Sequence, residues 1–124
     1  MFFNEKSPLE IGKKGEKLVA DYLKTRGFTV IKRNYKDRYG EVDIIAEDHK
    51  NLVFIEVKTR SENAIVSGID AIDEKKKRLI KNEAVMFTKR LKTELEPRVD
   101  VAEVIVGEKD GKEIWKLNYI KNAY

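Results

Sequence analysis

Apolar residues recur at helical spacing near the start of the chain. They lie between Ser7-Pro8, which can cap and begin a helix, and Gly27, which can end one in a left-handed conformation. The stripe comprises Ile11, Leu18, Val19, Tyr22 and Leu23. Gly15 falls on the same stripe, where a missing side chain allows another backbone to come close. This pattern predicts a first helix packed closely on its neighbour.

The rest of the chain alternates between strand-like and helical patterns. We predict strands at residues 28–35, 41–47, 52–58, 99–106 and 114–120. A longer helix is predicted from about Asp70 to Leu91. The helix residues expected to be buried are Ile72, Leu79, Ile80, Phe87 and Leu91. The segment 99–106 is almost continuously apolar, which is typical of a strand covered on both faces.

The order of these elements predicts an α/β fold. A helix is followed by three antiparallel strands, a crossover helix, a parallel strand and an edge strand. A crossover joins strands that lie parallel in one sheet, with a right-handed connection. The expected architecture is therefore a mixed β-sheet flanked by helices. The length of 124 residues fits a single domain, 1–124.

Composition excludes some chemistry and leaves the partner open. The chain has no cysteine and one histidine, His49, which rules out thiolate catalysis and the usual zinc patterns. The longest apolar runs are too short to span a membrane, so we expect a cytoplasmic protein. A net charge of +4 is compatible with an acidic partner, but equally with a lysine-rich surface. Charge alone therefore does not decide function.

The predicted hairpin of the second and third strands brings acidic residues together. If residues 48–51 form its turn, Asp43 lies opposite Glu56 and Glu41 lies opposite Lys58. Period-two alternation puts these four side chains on one face. The opposite face would carry the apolar residues Val42, Ile44, Ala46, Val53, Ile55 and Val57.

Two carboxylates facing each other across a strand pair need a compensating cation. Their Cβ atoms would lie about 5 Å apart, and like charges at that spacing are destabilising. Lys58 can supply part of the compensation, and Mg²⁺, which prefers hard oxygen ligands, would supply more. The alternative is a solvated face with a weak Glu41–Lys58 ion pair. A register shifted by one residue would also separate the two acids.

Two linked motifs carry a resemblance to a known family. They are Gly40-Glu41-Val42-Asp43 and residues 54–60, FIEVKTR. Further matching positions are Gly12, Gly15-Glu16, Ala20, Tyr22-Leu23, Arg33-Asn34-Tyr35, Lys75, Arg78-Leu79 and Arg98-Val99-Asp100. From about residue 10 to residue 106 the chain resembles the YraN family of uncharacterised bacterial proteins. That family is assigned to the restriction-endonuclease-like PD-(D/E)XK superfamily, which also contains archaeal Holliday-junction resolvases.

The resemblance implies roles for individual residues. Asp43, Glu56 and Glu16 would be ligands of Mg²⁺ or Mn²⁺, together with the backbone carbonyl of Val57. Lys58 would be the catalytic lysine, and Glu16 would complete the acidic cluster. A surface glutamate beside a lysine is the alternative for Glu16. The chain departs from the superfamily name because no proline precedes Asp43.

Other candidate residues lie around this motif. Glu41 is a candidate carboxylate that would hold Lys58 in place beside the metal ligands, and an exposed ion pair is the alternative. The candidate contacts to nucleic-acid phosphates are Arg60, Lys75, Lys76 and Arg78. The alternatives are a strand-end arginine and a solvated helix face. Trp115 and Tyr119 are expected to cover the core, His49 to be incidental, and Arg98 and Asp100 to support the structure around the site.

The function expected from these features is that of a metal-dependent endonuclease. It would hydrolyse phosphodiester bonds of nucleic acid, with DNA, including branched or junction DNA, as the favoured partner. A homodimer would suit a junction, which has paired strands to cut. The alternative is a non-catalytic nucleic-acid-binding module on the same fold, and a scaffolding protein is a weaker third hypothesis.

Overall fold

The computed structural model of this chain describes residues 7–63 and 74–124. Its elements are α1 (Pro8–Thr25), β1 (Thr29–Asp37), β2 (Gly40–Glu47), β3 (Asn51–Ser61), α2 (Glu74–Leu91), β4 (Glu96–Lys109) and β5 (Lys112–Ile120). The predicted helix start at 70–73, which includes Ile72, lies outside the described residues. Neither helix in the described part of the chain is long and apolar enough to cross a membrane.

The sheet has the topology that the sequence predicts. Its strand order is β1-β2-β3-β4-β5. β1, β2 and β3 pair antiparallel, β3 and β4 pair parallel across the α2 connection, and β5 pairs antiparallel at the edge. The predicted mixed α/β sheet flanked by helices is therefore confirmed.

Helix α1 begins and ends as its sequence predicts. The Ser7 Oγ accepts a hydrogen bond from the Glu10 backbone N–H at 3.1 Å, which caps the first turn. At the other end Gly27 adopts φ +88°, and the Phe28 N–H donates to the Leu23 carbonyl at 3.0 Å. This is a Schellman ending, and it favours glycine because a side chain is strained at positive φ.

A close approach between α1 and β3 depends on Gly15. A Cβ atom at this position would lie 2.2 Å from the Thr59 Oγ1 and 3.3 Å from the Thr59 Cβ. A larger residue would require the Thr59 side chain to shift. A neighbouring element therefore does lie close to Gly15, but the contact is with the Thr59 side chain of β3 rather than with its backbone. The contact places the neighbouring residue Glu16 beside the middle of the sheet.

Each face of the sheet has its own apolar core. The α1 face is formed by Val19, Ala20, Leu23, Ile44, Ala46, Val53, Ile55, Ala102 and Val104, with Trp115 and Tyr119 packed against it. The α2 face is formed by Val42, Ile45, Leu52, Phe54, Ile80, Ala84 and Val99. Trp115 and Tyr119 therefore cover the core, as predicted.

The buried stripe of α2 differs from the predicted one. Leu79 is 39% exposed and Leu91 is 47% exposed, whereas Glu83 is fully buried. The residues that face the sheet follow the spacing of Ile80, Glu83, Ala84 and Phe87, so Leu79 and Leu91 fall at its margins. The prediction is confirmed for Ile80 and Phe87 and was wrong for Leu79 and Leu91, and it passed over the buried Glu83.

The alternation of side chains between the two faces of the sheet is interrupted in the middle of β1 and β2. Val42 packs in the α2 core, whereas Ile44, two residues later, packs in the α1 core. The prediction that Val42 shares a face with Ile44 was therefore wrong. Residue Asn34 of β1 has φ +51°, a left-handed conformation that strict alternation does not anticipate.

The part of the β1–β2 hairpin near its turn is held against α2 by hydrogen bonds. The Arg90 Nη2 donates to Asp37 Oδ2 at 2.9 Å, to Tyr35 Oη at 3.1 Å and to the buried Glu83 Oε1 at 3.3 Å. Burial raises the pKa of Glu83 to about 7. The pKa of Asp37 falls to about 2 because its hydrogen bonds, including one from Arg90, outweigh its desolvation.

A second buried carboxylate joins β4 to the end of the chain. Asp100 is fully buried and accepts two hydrogen bonds from the Arg98 guanidinium, each 2.9 Å long. It also accepts hydrogen bonds from the Tyr119 hydroxyl and the Asn122 backbone N–H. These contacts give Arg98 and Asp100 a structural role, and they satisfy a charge that would be costly if left unpaired.

Replacing Gly15 by alanine is expected to destabilise the fold by about 1–3 kcal/mol, because the new methyl group overpacks against Thr59. Gly12→Ala is the matched control, since a Cβ there meets nothing within 4 Å and should stabilise the helix by about 0.5–1 kcal/mol. Urea unfolding measures both changes. Equal effects of the two substitutions would contradict the close approach, and Thr59→Ala should partly rescue Gly15→Ala.

Candidate metal centre

The candidate site begins where β2 separates from β3. The two strands pair from Glu47↔Leu52 to Ile44↔Ile55, which confirms the predicted register over these residues. The ladder then stops. The predicted ladder pairs Asp43↔Glu56 and Glu41↔Lys58 are therefore not formed, and this part of the prediction was wrong. Instead, the Val57 backbone N–H donates to the Asp43 Oδ2 at 2.8 Å. The carboxylate of Asp43 takes the place that the Val42 carbonyl would hold in an unbroken ladder.

Glu56 and Lys58 lie on the β3 side of this opening. The Lys58 Nζ is 3.5 Å from the Glu56 Oε1, and both side chains are largely buried. Burial and the charge of Asp43 raise the pKa of Glu56 to about 7, although Lys58 and Lys76 oppose the shift. The two carboxylates therefore interact strongly even though their backbones do not pair.

The environment of Asp43 also disfavours its charged form. Burial, together with the charge of Glu41, raises the pKa of Asp43. The Val57 N–H and the ammonium group of Lys58 act in the opposite direction, but they do not cancel the desolvation. Burial therefore raises the pKa of both carboxylates, and the neighbouring lysines offset only part of this shift.

Glu16 of α1 lies beside this pair. Its side chain is 13% exposed, and its Oε1 lies 3.8 Å from the Arg33 Nη2. The Oε1 atom is buried and has no hydrogen-bond partner among residues 7–63 and 74–124. Burial and the charge of Asp43 raise the pKa of Glu16, while Arg33 and the Asn34 amide favour the ionised form. The third predicted acid is therefore electrostatically connected to Asp43.

Two cavities meet at the Asp43–Val57 hydrogen bond, and these two residues line both of them. The cavity on the α1 side measures about 730 Å³ and also contains Glu16 and Asn34. The cavity on the α2 side measures about 580 Å³, and its wall includes Glu41, Glu56, Lys58, Lys76, Lys36 and Arg38. Asp43 is therefore accessible from both sides of the opened sheet.

The residues present are compatible with a hard divalent cation. Mg²⁺ is commonly held by one or two carboxylates and keeps several waters, which matches the Asp43–Glu56 pair. The N–H and C=O of one residue point to the same side of a strand, so the Val57 carbonyl faces the same opening as its N–H. Within the described ranges, no three His, Cys, Asp or Glu side chains form a preassembled metal cage. The fit therefore rests on two acids, with Glu16 near but outside such a cage.

The four basic side chains predicted to contact phosphates differ in their position relative to the site. Lys76 lines the α2-side cavity and acts electrostatically on Asp43 and Glu56, whereas Lys75 and Arg78 are exposed on α2. Arg60 lines the α1-side cavity, but its Nε is 3.4 Å from the Oε2 of the buried Glu103. The structure thus brings Lys76 and Arg60 to the site and leaves Lys75 and Arg78 on the helix surface.

Comparison with known proteins places the chain in a family. The protein-family model described as "Uncharacterised protein family UPF0102" matches residues 15–104. The chain belongs to the UPF0102 family. A UPF0102 protein of Dictyoglomus thermophilum is 40% identical over 116 residues, covering 93% of this chain and 97% of the relative. A UPF0102 protein of Syntrophomonas wolfei is 37% identical over 116 residues with the same coverage. UPF0102 is the YraN family that the motifs indicated.

A solved structure supports the fold of this UPF0102 member. Hjc of Archaeoglobus fulgidus, a Holliday junction resolvase from an archaeal hyperthermophile, superimposes with a TM-score of 0.52 at 18% identity. The match covers 86% of this chain and 75% of the resolvase. The predicted restriction-endonuclease-like fold is thereby confirmed for the UPF0102 chain.

Sequence reasoning missed two residues at the site of this UPF0102 protein. Asn34 lines the α1-side cavity in a left-handed conformation, and Glu103 pairs with Arg60. Asn34 carried a usable signal, because asparagine is one of few residues that tolerate positive φ. Glu103 sits within an apolar strand segment, and its register with β3 was needed to find it.

The pKa of Glu56 predicts a pH dependence of stability in metal-free protein. Between its ordinary pKa of 4.5 and its folded value of about 7, the folded protein keeps a proton that the unfolded chain has lost. Stability therefore falls as the pH rises through this window. Glu56→Gln should be more stable than wild type by about 1–3 kcal/mol at pH 8, and the difference should vanish near pH 4.

Urea unfolding in EDTA at both pH values measures this difference. Glu94→Gln, at an exposed acid with no role in the site, is the control and should leave stability unchanged at either pH. A Glu56→Gln variant that is no more stable than wild type at pH 8 would contradict the electrostatic description.

Proposed function

We propose that this protein is a metal-dependent nuclease that hydrolyses phosphodiester bonds in nucleic acid. The observation that carries the proposal is the Asp43 carboxylate, which is held by the Val57 N–H beside Glu56 and Lys58 at the opening between β2 and β3. A buried pair of acids with insufficient counter-charge is costly for a structural role. It is suited to binding a divalent cation and, with it, a phosphate.

Asp43, Glu56 and the Val57 carbonyl would hold Mg²⁺ or Mn²⁺, and Glu16 would add a further carboxylate from α1. A cation held there would supply Lewis-acid stabilisation of the phosphate and would lower the pKa of bound water. Asp43 is oriented before any cation binds, because its Oδ2 already accepts the Val57 N–H. The other oxygen of the same carboxylate is then available to the metal.

Lys58 would act on the reacting groups directly. Its ammonium group is 3.5 Å from Glu56, so it is directed towards the acids rather than towards bulk solvent. From there it can orient the attacking water or stabilise the charge that develops on the phosphate. Glu41 lines the same cavity as Lys58 and is proposed to steady it.

The α2-side cavity is the proposed path of the substrate strand. Lys76 lies in its wall, and Lys75 and Arg78 continue the positive charge along α2, while Arg60 serves the α1 side. We propose DNA as the partner, with branched or junction DNA as the first candidates because the structural neighbour is a Holliday junction resolvase. Junction cleavage would require two copies of the site, hence a homodimer, and the proposed location is the cytoplasm.

Cleavage of a substrate panel tests the proposal. Wild-type protein should cut at least one of single-stranded, duplex, flap or four-way-junction DNA in Mg²⁺ or Mn²⁺, and none in EDTA. Asp43→Asn, Glu56→Gln and Lys58→Met should each reduce the rate by about 100-fold or more. Glu94→Gln, an exposed acid elsewhere, should cut as wild type does.

Two outcomes of this test would overturn the catalytic proposal. One is cleavage by Asp43→Asn at the wild-type rate, which would indicate a contaminating nuclease. The other is the absence of any cleavage together with salt-dependent DNA binding that neither metal nor Asp43→Asn alters. That result would favour the non-catalytic binding module.

The contribution of α2 to binding is tested by the salt dependence of affinity. Removing Lys75, Lys76 and Arg78 together should reduce the slope of log K against log salt by about 2–3, since each lost phosphate contact contributes 0.7–0.9. Fluorescence anisotropy with labelled DNA measures the slope. The matched control removes three exposed lysines of the β4–β5 hairpin, Lys109, Lys112 and Lys116. An equal loss in both variants would mean that α2 is not the binding surface.

A further inference from the structure

Asn34 and Asp43 stand opposite each other where the two strands change face. The pairs on either side, Arg33↔Ile44 and Tyr35↔Val42, keep one register, so neither strand contains an extra residue there. The pair between them is missing from the ladder. The irregularity is therefore a local rotation of both chains rather than an insertion.

The backbone of Asn34 has an unusual conformation for its location. Among the described non-glycine residues, Asn34, Lys92, Asp110 and Asn122 have positive φ. Lys92, Asp110 and Asn122 lie in turns, whereas Asn34, at φ +51°, lies inside a strand. A left-handed residue inside a strand is strained, and such strain persists only where the surrounding structure enforces it.

Because of this rotation, the residues before and after Asn34 and Asp43 face opposite sides of the sheet. On β1, Arg33 lies near Glu16 of α1, whereas the ring of Tyr35 packs 5.2 Å from that of Phe87 on α2. On β2, the same change separates Ile44 from Val42. The change of face occurs at Asp43 on β2 and at Asn34 on β1.

The Asp43 carboxylate can turn towards β3 because the backbone of β2 no longer pairs with β3 at this position. In a regular strand at this register, the Val57 N–H would bond to the Val42 carbonyl. Because the strands turn at Asn34 and Asp43, the Asp43 carboxylate bonds to Val57 instead and faces both cavities.

We infer that Asn34 is a positioning residue whose left-handed backbone turns Asp43 out of the sheet ladder and towards Val57. Its consequence for catalysis rests on the proposed function, but its structural effect does not. Glycine can take the left-handed conformation at no cost, whereas a β-branched residue is strongly disfavoured there. Asn34→Gly should therefore preserve the arrangement, and Asn34→Val should disrupt it.

Amide hydrogen exchange of Val57, followed by NMR in EDTA, tests the inference without any substrate or metal. Exchange is expressed relative to the Ile55 amide of the same strand, so that a global loss of stability cancels. Asn34→Val should increase the relative exchange of Val57 by 10-fold or more, and Asn34→Gly should leave it within 2-fold of wild type. If Asn34→Val fails to fold, Asn34→Ala provides a milder version of the same comparison.

Asn122→Val is the matched control, because Asn122 has φ +50° in the turn that follows β5, outside the β1–β2 pair. It should lose stability but leave the relative exchange of Val57 unchanged. The inference is overturned if Asn34→Val and Asn122→Val leave Val57 equally protected, or if Asn34→Gly exposes Val57 as much as Asn34→Val does. Normal Val57 behaviour in a protein that cleaves nothing would instead count against the nuclease proposal alone.

Discussion

The hydrogen bond from the Val57 N–H to the Asp43 carboxylate is the contact on which the rest of the site depends. A backbone donor inside a sheet must find an acceptor, and here a side chain supplies it after the main-chain ladder has ended. β2 can therefore leave β3 without stranding a buried N–H. The gap that results lies between the two cavities, both of which Asp43 and Val57 line.

The electrostatics of the site follow from the same opening. Glu56 and Asp43 are placed where burial and mutual repulsion work against their charges, and Lys58 offsets only part of this. The buried Asp100, by contrast, receives a full set of donors, including the Arg98 guanidinium. The buried Glu83 also has a raised pKa, but it lines neither cavity. The Asp43–Glu56 pair therefore differs from both because it combines incomplete compensation with a position in the wall of the α2-side cavity.

Much of this arrangement could be predicted from the sequence, and the failures have a common physical origin. Strand order, the β2–β3 register and the close approach at Gly15 follow from local patterns that tertiary packing left intact. The face of Val42 was mispredicted because period-two alternation assumes a regular backbone, which Asn34 does not have. Glu103 escaped prediction because its partner Arg60 lies 43 positions away in sequence. Glu83 escaped it because its partner Arg90, on the same helix, also binds Tyr35 and Asp37 of the distant strand β1.

The parallel pairing of β3 with β4 runs from Asn51↔Glu96 to Ser61↔Val106, and it joins residues about 45 positions apart in sequence. Contacts of such long separation form slowly, because the loop between them must close first. The β2–β3 hairpin, by contrast, joins near neighbours and can form early. Asp43 and Glu56 thus come together on a local element whose assembly does not wait for the crossover.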